Sequence, residues 1–250
     1  MSLTEYAVWD RSQRIFHWIN VLALAALAGI GIVILNADAL GIPDDPGMIL
    51  LKTTHVYAGY VFVINLAWRI AWGFIGGPNA RWSALLPVGP RFGRRLADFV
   101  RGLATGRTLA YLGHNPPSRI VLTLLVLSML VQAVTGLVIA GTDVYMPPFG
   151  GTFREWAAAG THEAALVRPY APATVDPEAY ASMRAFRMPW VRTHEYNFFV
   201  LASLIVIHIA AAVFAELREG GRPISAMFNG RKVFRDVPTD AENYDAGRDV

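Results

Sequence analysis

The sequence predicts an all-α integral membrane protein, a four-helix bundle with a long periplasmic loop between helices three and four. Three observations predict it. Hydrophobic residues make up 54% of the 250-residue chain and charged residues only 16%, where a soluble domain carries about 25%. The mean hydropathy is +0.37. Four stretches, residues 15–37, 53–68, 120–142 and 196–215, contain no Asp, Glu, Lys or Arg. Each approaches the roughly 20 residues that cross a bilayer. So apolar a chain is not a solvated disordered coil.

The elements follow in order. The first span covers about 15–37 and lacks the short apolar core and Ala-x-Ala-like end of a cleaved signal peptide. The second covers about 53–76, with Arg69 as its one charge, the third about 119–142 and the fourth about 194–216. Together they predict a membrane domain over 1–217 and a cytoplasmic tail over 218–250, basic and then acidic. The tail is polar from Val237 on and is expected to be mobile. The third connection is too long for a bare tether. Pro147-Pro148 and Gly150-Gly151 break it, residues 153–165 read as a short amphipathic helix, and Pro169, Pro172 and Pro177 favour irregular structure. It is expected to form a cap or a docking surface.

Charge sets the orientation. Between spans two and three, Arg81, Arg91, Arg94, Arg95, Arg101, Arg107 and Arg119 face a single acid, Asp98. After span four come Arg218, Arg222, Arg231, Lys232 and Arg235, whereas the first loop holds Asp38, Asp44 and Asp45 against Lys52. Cytoplasmic loops are Lys/Arg-rich. Both termini are therefore expected in the cytoplasm of a multi-pass protein of the bacterial inner membrane. The basic excess is then a topology signal and not a nucleic-acid footprint.

The chain has no cysteine. Disulfides, thiolate zinc sites, cysteine-held iron–sulfur clusters and cysteine nucleophiles are excluded. Any metal must be held through nitrogen, and four of the six histidines fall at span ends. His17 and His208 share the cytoplasmic depth, and His55 and His194 the opposite depth. His194 and His208 are 14 residues apart on one helix, about 21 Å of rise and 40° short of four full turns. Both imidazoles thus project from nearly one face. Two layers of paired histidines are what two bis-histidine haems need, and bundle cores house such cofactors. Full axial ligation favours electron transfer over oxygen binding. Without a Cys-x-x-Cys-His motif the haem is b-type and not covalently attached.

Blander roles stand beside these. A membrane histidine alone is as often a helix-packing hydrogen bonder. A histidine proton relay calls for acids within the spans, which are missing, though Glu195 beside His194 offers a supporting contact. Gly59, one turn after His55 on the same face, leaves room for a flat macrocycle or simply for a neighbouring helix; Gly29, Gly31 and Gly136 offer the same choice. Arg69, 14 residues after His55, either pairs a haem propionate or snorkels to headgroups. Arg14 and Arg11 are further propionate or phospholipid partners. The tryptophans near span ends fit an aromatic belt.

As a set, these residues resemble one family. Arg14-Ile15-Phe16-His17-Trp18 opens span one and Lys52-Thr53-Thr54-His55-Val56-Tyr57-Ala58-Gly59-Tyr60 opens span two. Arg69-Ile70-Ala71-Trp72-Gly73-Phe74 with Ala80-Arg81-Trp82 closes it, Gly113-His114-Asn115-Pro116 precedes span three, and span four carries His194 and His208. Over roughly residues 8–235 the chain resembles the b-type cytochrome subunit of nickel–iron hydrogenases, within the bacterial cytochrome b561 superfamily that also holds the formate dehydrogenase gamma subunit. The resemblance implies a di-haem membrane anchor passing electrons between a periplasmic redox enzyme and the quinone pool. It implies the same pairing, His17 with His208 and His55 with His194. It also implies a quinone site beside the cytoplasmic-side haem, where His114 and Asn115 either line the site or simply start the helix. The third loop is longer than a minimal anchor needs, so the partner is a hydrogenase small subunit, a multihaem cytochrome or a molybdenum enzyme. Two other functions remain open: a stand-alone oxidoreductase of the superoxide:quinone type, and a haem-free transporter or assembly factor.

Overall fold

The computed structural model describes residues 3–42, 44–106, 109–160, 163–218, 222–234 and 237–241. Arg107, His162, Arg235, Glu242, Asp245 and Asp249 lie outside the described residues. In order, the elements are β1 (Thr4–Ala7), α1 (Arg11–Leu35), α2 (Asp44–Ile75), α3 (Trp82–Leu85), α4 (Phe92–Ala104), α5 (Pro116–Asp143), α6 (Gly150–Ala158), two short 3-10 turns, α7 (Pro177–Arg218), α8 (Pro223–Asn229) and β2 (Arg231–Phe234). Among the described residues four helices are long and apolar enough to cross a membrane: α1, α2 from Pro46, α5 and α7. Their apolar side chains are mostly turned outward: Leu22 and Ile64 are each 70% exposed, and Tyr196 73%. Water tolerates such large apolar surfaces poorly, whereas hydrocarbon does not penalise them.

The chain divides into two compact units. The first comprises residues 1–18, 67–127 and 201–250. An antiparallel ribbon, β1 on β2, pairs Thr4 with Phe234 and Ala7 with Arg231. This small ribbon is an addition to an otherwise helical chain. The ribbon continues into two bonds from the Val8 and Trp9 N–H groups to the Gly230 carbonyl, 2.9 and 3.1 Å. Gly230 has φ +83°, and a Cβ there would meet the Trp9 carbonyl at 2.7 Å, so only glycine fits. Val8, Trp9, Leu112, Ala226, Phe234 and Ala241 form the core of this end. Asp10 caps α1, its Oδ1 accepting from the Gln13 N–H at 2.7 Å, while its Oδ2 accepts from the Trp72 indole at 2.9 Å. One carboxylate thus starts α1 and ties it to α2.

Two further differences belong to this unit. The Arg-rich connection contains a helix, α4, which buries Phe99 and exposes Arg94, Arg95 and Arg101. The polar segment expected to be mobile is instead docked over 237–241. The Thr239 N–H donates to the Ala110 carbonyl at 2.9 Å. The Asp240 carboxylate accepts from the Leu112 and Gly113 N–H groups at 2.6 and 3.0 Å.

The second unit comprises residues 19–66 and 128–200. Its third connection is a packed cap. Tyr145, Phe153, Ala157, Ala158, Val167, Val175 and Met183 form its core. The amphipathic helix runs over Gly150–Ala158, not 153–165; it stops where Ala159 turns left-handed, at φ 45°. The fourth long helix starts at Pro177, well before 194, and runs 42 residues. Pro177 suits a first helical position, where its missing N–H costs nothing. Asp176 caps it, accepting from the Glu178 and Ala179 N–H groups at 3.1 and 2.9 Å. The cap is fastened by charge: Asp143 binds Lys52 at 2.5 Å and also Arg187, and Lys52 donates to the Tyr170 hydroxyl. The Tyr60 hydroxyl donates to the Pro147 carbonyl at 2.5 Å.

Candidate cofactor site

His55 on α2 and His194 on α7 meet in the second unit. Their ring centroids are 6.4 Å apart and their planes are inclined by 74°. Two imidazoles on opposite sides of one metal ion need a bond of about 2.0 Å each, plus about 1.2 Å from nitrogen to ring centre on each side, which totals about 6.4 Å. That separation would suit two imidazoles held on one metal ion. Nδ1 of His55 is buried without a hydrogen-bond partner.

Backbone room is provided on the other helices. A Cβ on Gly31 would touch His55 Cε1 at 3.5 Å, and one on Gly136 would press His194 Cε1 at 3.2 Å. Gly59 faces open space, with nothing within 4 Å of an added Cβ. His194 itself is held by α5: its Nε2 lies 3.0 Å from Gln132 Nε2, and its Nδ1 lies 2.8 Å from the Thr135 hydroxyl. Its supporting contacts are these and not the expected Glu195. Gln132 and Thr135 are not among the residues the sequence pattern predicts. Their signal is nevertheless present, because Ser128, Gln132 and Thr135 recur at i, i+4 and i+7, a polar stripe on an otherwise apolar span.

The first unit gathers the other predicted residues. His17 and His208 both belong to this unit and are partly buried. His17 Nδ1 is buried without a partner. Arg69 is only 6% exposed. Its guanidinium lies over the Trp82 ring at 5.1 Å and the Phe16 ring at 6.0 Å, and its Nη1 is buried without a hydrogen bond. A buried cation short of acceptors is a site for an anion. Arg14 donates to the Phe228 carbonyl at 2.5 Å and keeps a buried Nε without a partner.

His114 stacks on Trp9 with ring centroids 4.8 Å apart. Lys232 lies over the same indole at 5.3 Å and donates to the Tyr111 and Gly113 carbonyls at 3.2 and 3.1 Å. Burial, then the nearby Lys232 and Arg69 charges, push the His114 imidazole down to about 3, so it is neutral at neutral pH. Asn115 caps α5, its Oδ1 accepting from the Ser118 N–H at 2.9 Å. Among the described residues no three His, Asp or Glu side chains cluster as a metal-ion cage. The site thus offers an imidazole pair, His55 with His194, and the buried guanidinium of Arg69.

Helices that expose their apolar faces and bear paired imidazoles define a membrane cytochrome. The chain belongs to the prokaryotic cytochrome b561 family, whose model matches residues 8–230. It is similar to the probable Ni/Fe-hydrogenase B-type cytochrome subunits of Cupriavidus necator (23% identical, covering 92% of this chain and 87% of that protein) and of Rhizobium leguminosarum bv. viciae (25% identical, covering 92% and 89%). A probable Ni/Fe-hydrogenase 1 B-type cytochrome subunit of Escherichia coli is 30% identical over 94 residues, 35% of this chain and 38% of that protein. No solved structure matches. The cofactor of a b-type cytochrome is haem b.

Proposed function

We propose that this chain is a di-haem b-type cytochrome that carries electrons across the bacterial inner membrane between the quinone pool and a periplasmic redox enzyme. His55 and His194 hold one haem; His17 and His208 hold the other. The 6.4 Å separation of the His55 and His194 rings carries the reading. Bound haem would supply one-electron redox chemistry, and these four imidazoles would be the residues that hold it.

The chain's own residues do the rest. Arg69 offers its unpartnered Nη1 to a propionate, and Arg14 its Nε. Gly59 leaves a flat surface on the His55 face of α2. Trp9 stacks on the neutral His114 ring, which serves as a hydrogen-bond partner for a quinone oxygen, and Asn115 caps the helix that follows it. The arginines of 81–119 and after 217 support cytoplasmic termini. The cap over 144–176 is then the docking face for the partner. The names of the relatives support a nickel–iron hydrogenase in that role.

The test uses protein purified from cells with ample haem. Pyridine haemochrome assay should give two haems b per chain, and a quinol analogue should reduce them. A protein without haem absorbance, or with haem that no quinol reduces, contradicts the proposal.

A further inference from the structure

Hydrogen-bond polarity in the second unit fixes which nitrogen of His194 carries its proton. The direction can be traced from two backbone carbonyls, which accept and never donate. At one end the Thr135 hydroxyl donates to the Val131 carbonyl at 2.7 Å. With its proton placed there, the hydroxyl is free to accept from His194 Nδ1–H at 2.8 Å. At the other end Asn197 Nδ2 donates to the Ser128 carbonyl at 2.9 Å and, with its second hydrogen, to Gln132 Oε1 at 2.6 Å. The Ser128 hydroxyl donates to Asn197 Oδ1 at 2.9 Å, which closes the Asn197 amide in one orientation. Gln132 must then turn its NH2 toward His194, where it donates to Nε2 at 3.0 Å.

Both routes give the same tautomer. Flipping Gln132 would set its NH2 against the Asn197 NH2. Flipping Asn197 as well would set its oxygen against the Ser128 carbonyl. Neither alternative satisfies a buried network, and unmade bonds there are costly.

We propose that Thr135, with Gln132, Asn197 and Ser128 behind it, is the positioning device for His194: it holds the proton on Nδ1 and so makes Nε2 the nitrogen with a lone pair to offer iron. Gln132 occupies that lone pair in the chain alone and gives way when the metal takes it. The inference rests on His194 being a haem ligand, as proposed above. A hydroxyl that accepts from Nδ1–H increases the basicity of the ligating nitrogen and so favours the oxidised iron. Thr135 therefore sets the potential of one haem as well as the pose of its ligand.

The experiment is a spectroscopic redox titration of the purified haem-loaded protein and of Thr135→Val, Thr135→Ser and His194→Ala. In Thr135→Val the midpoint of one haem should rise, or that haem should be lost, with the other unchanged. Thr135→Ser, which keeps the hydroxyl, should titrate like the parent. Parental midpoints in Thr135→Val, or equal changes in the Val and Ser variants, overturn the inference. His194→Ala separates the two levels: if it keeps every haem, the ligand assignment itself has failed.

Discussion

His55 and His194 face each other with ring centroids 6.4 Å apart, although they come from different helices and are 139 positions apart in the chain. Neither ring reaches that place by itself. α5 holds His194 through Thr135 and Gln132, and Gly31 leaves the space into which the His55 edge fits.

Gly136→Ala tests that packing. Its new methyl would lie 3.2 Å from His194 Cε1, whereas the methyl of Gly31→Ala would lie at an ordinary 3.5 Å from His55. Overpacking of this size costs about 1 kcal/mol, which is roughly a fivefold weaker hold on the haem. Haem retained through detergent washing should fall in Gly136→Ala and stay at the parental level in Gly31→Ala.

Asp143→Asn tests how the cap is fastened. Asp143 pairs with Lys52 and Arg187 together, and the side chains of all three are 20% exposed or less. Losing the charge leaves two partly buried cations with half a partner, a cost of roughly 2 kcal/mol, short of the fully buried case because some solvent remains. The variant should melt earlier and be cut faster by protease within 144–176. Arg101→Ala, which removes the exposed pair with Asp98, should change neither.

His114 predicts a pH dependence. Its value in the folded chain, about 3, lies below the ordinary 6.5. Below pH 6.5 the unfolded chain therefore takes up a proton that the folded chain refuses. The stability is fully present above 6.5 and is lost as the pH falls toward 3. His114→Gln should flatten this part of a plot of melting temperature against pH. An unchanged slope would mean that other groups produce the acid sensitivity.

The spans were legible because lipid demands one simple pattern, a long run without charge, and 15–37 and 120–142 show it plainly. The ribbon was not legible, since Thr4–Ala7 and Arg231–Phe234 are four residues each and pair across almost the whole chain without a shared turn. Pro189 and the charges before 194 concealed the early start of α7, because proline is expected to break a helix. The partners of His194 escaped for a different reason. A glutamine and a threonine within a span look like ordinary helix glue, and only the orientation of α5 toward α7 shows what they hold.

Haem stoichiometry in four single variants tests the central claim most directly. By pyridine haemochrome assay on protein of known concentration, His17→Ala and His208→Ala should each retain one haem, and His55→Ala and His194→Ala should each retain the other, distinguished by its midpoint potential. If all four variants keep the parental haem content, the four histidines do not hold haem and the account is wrong.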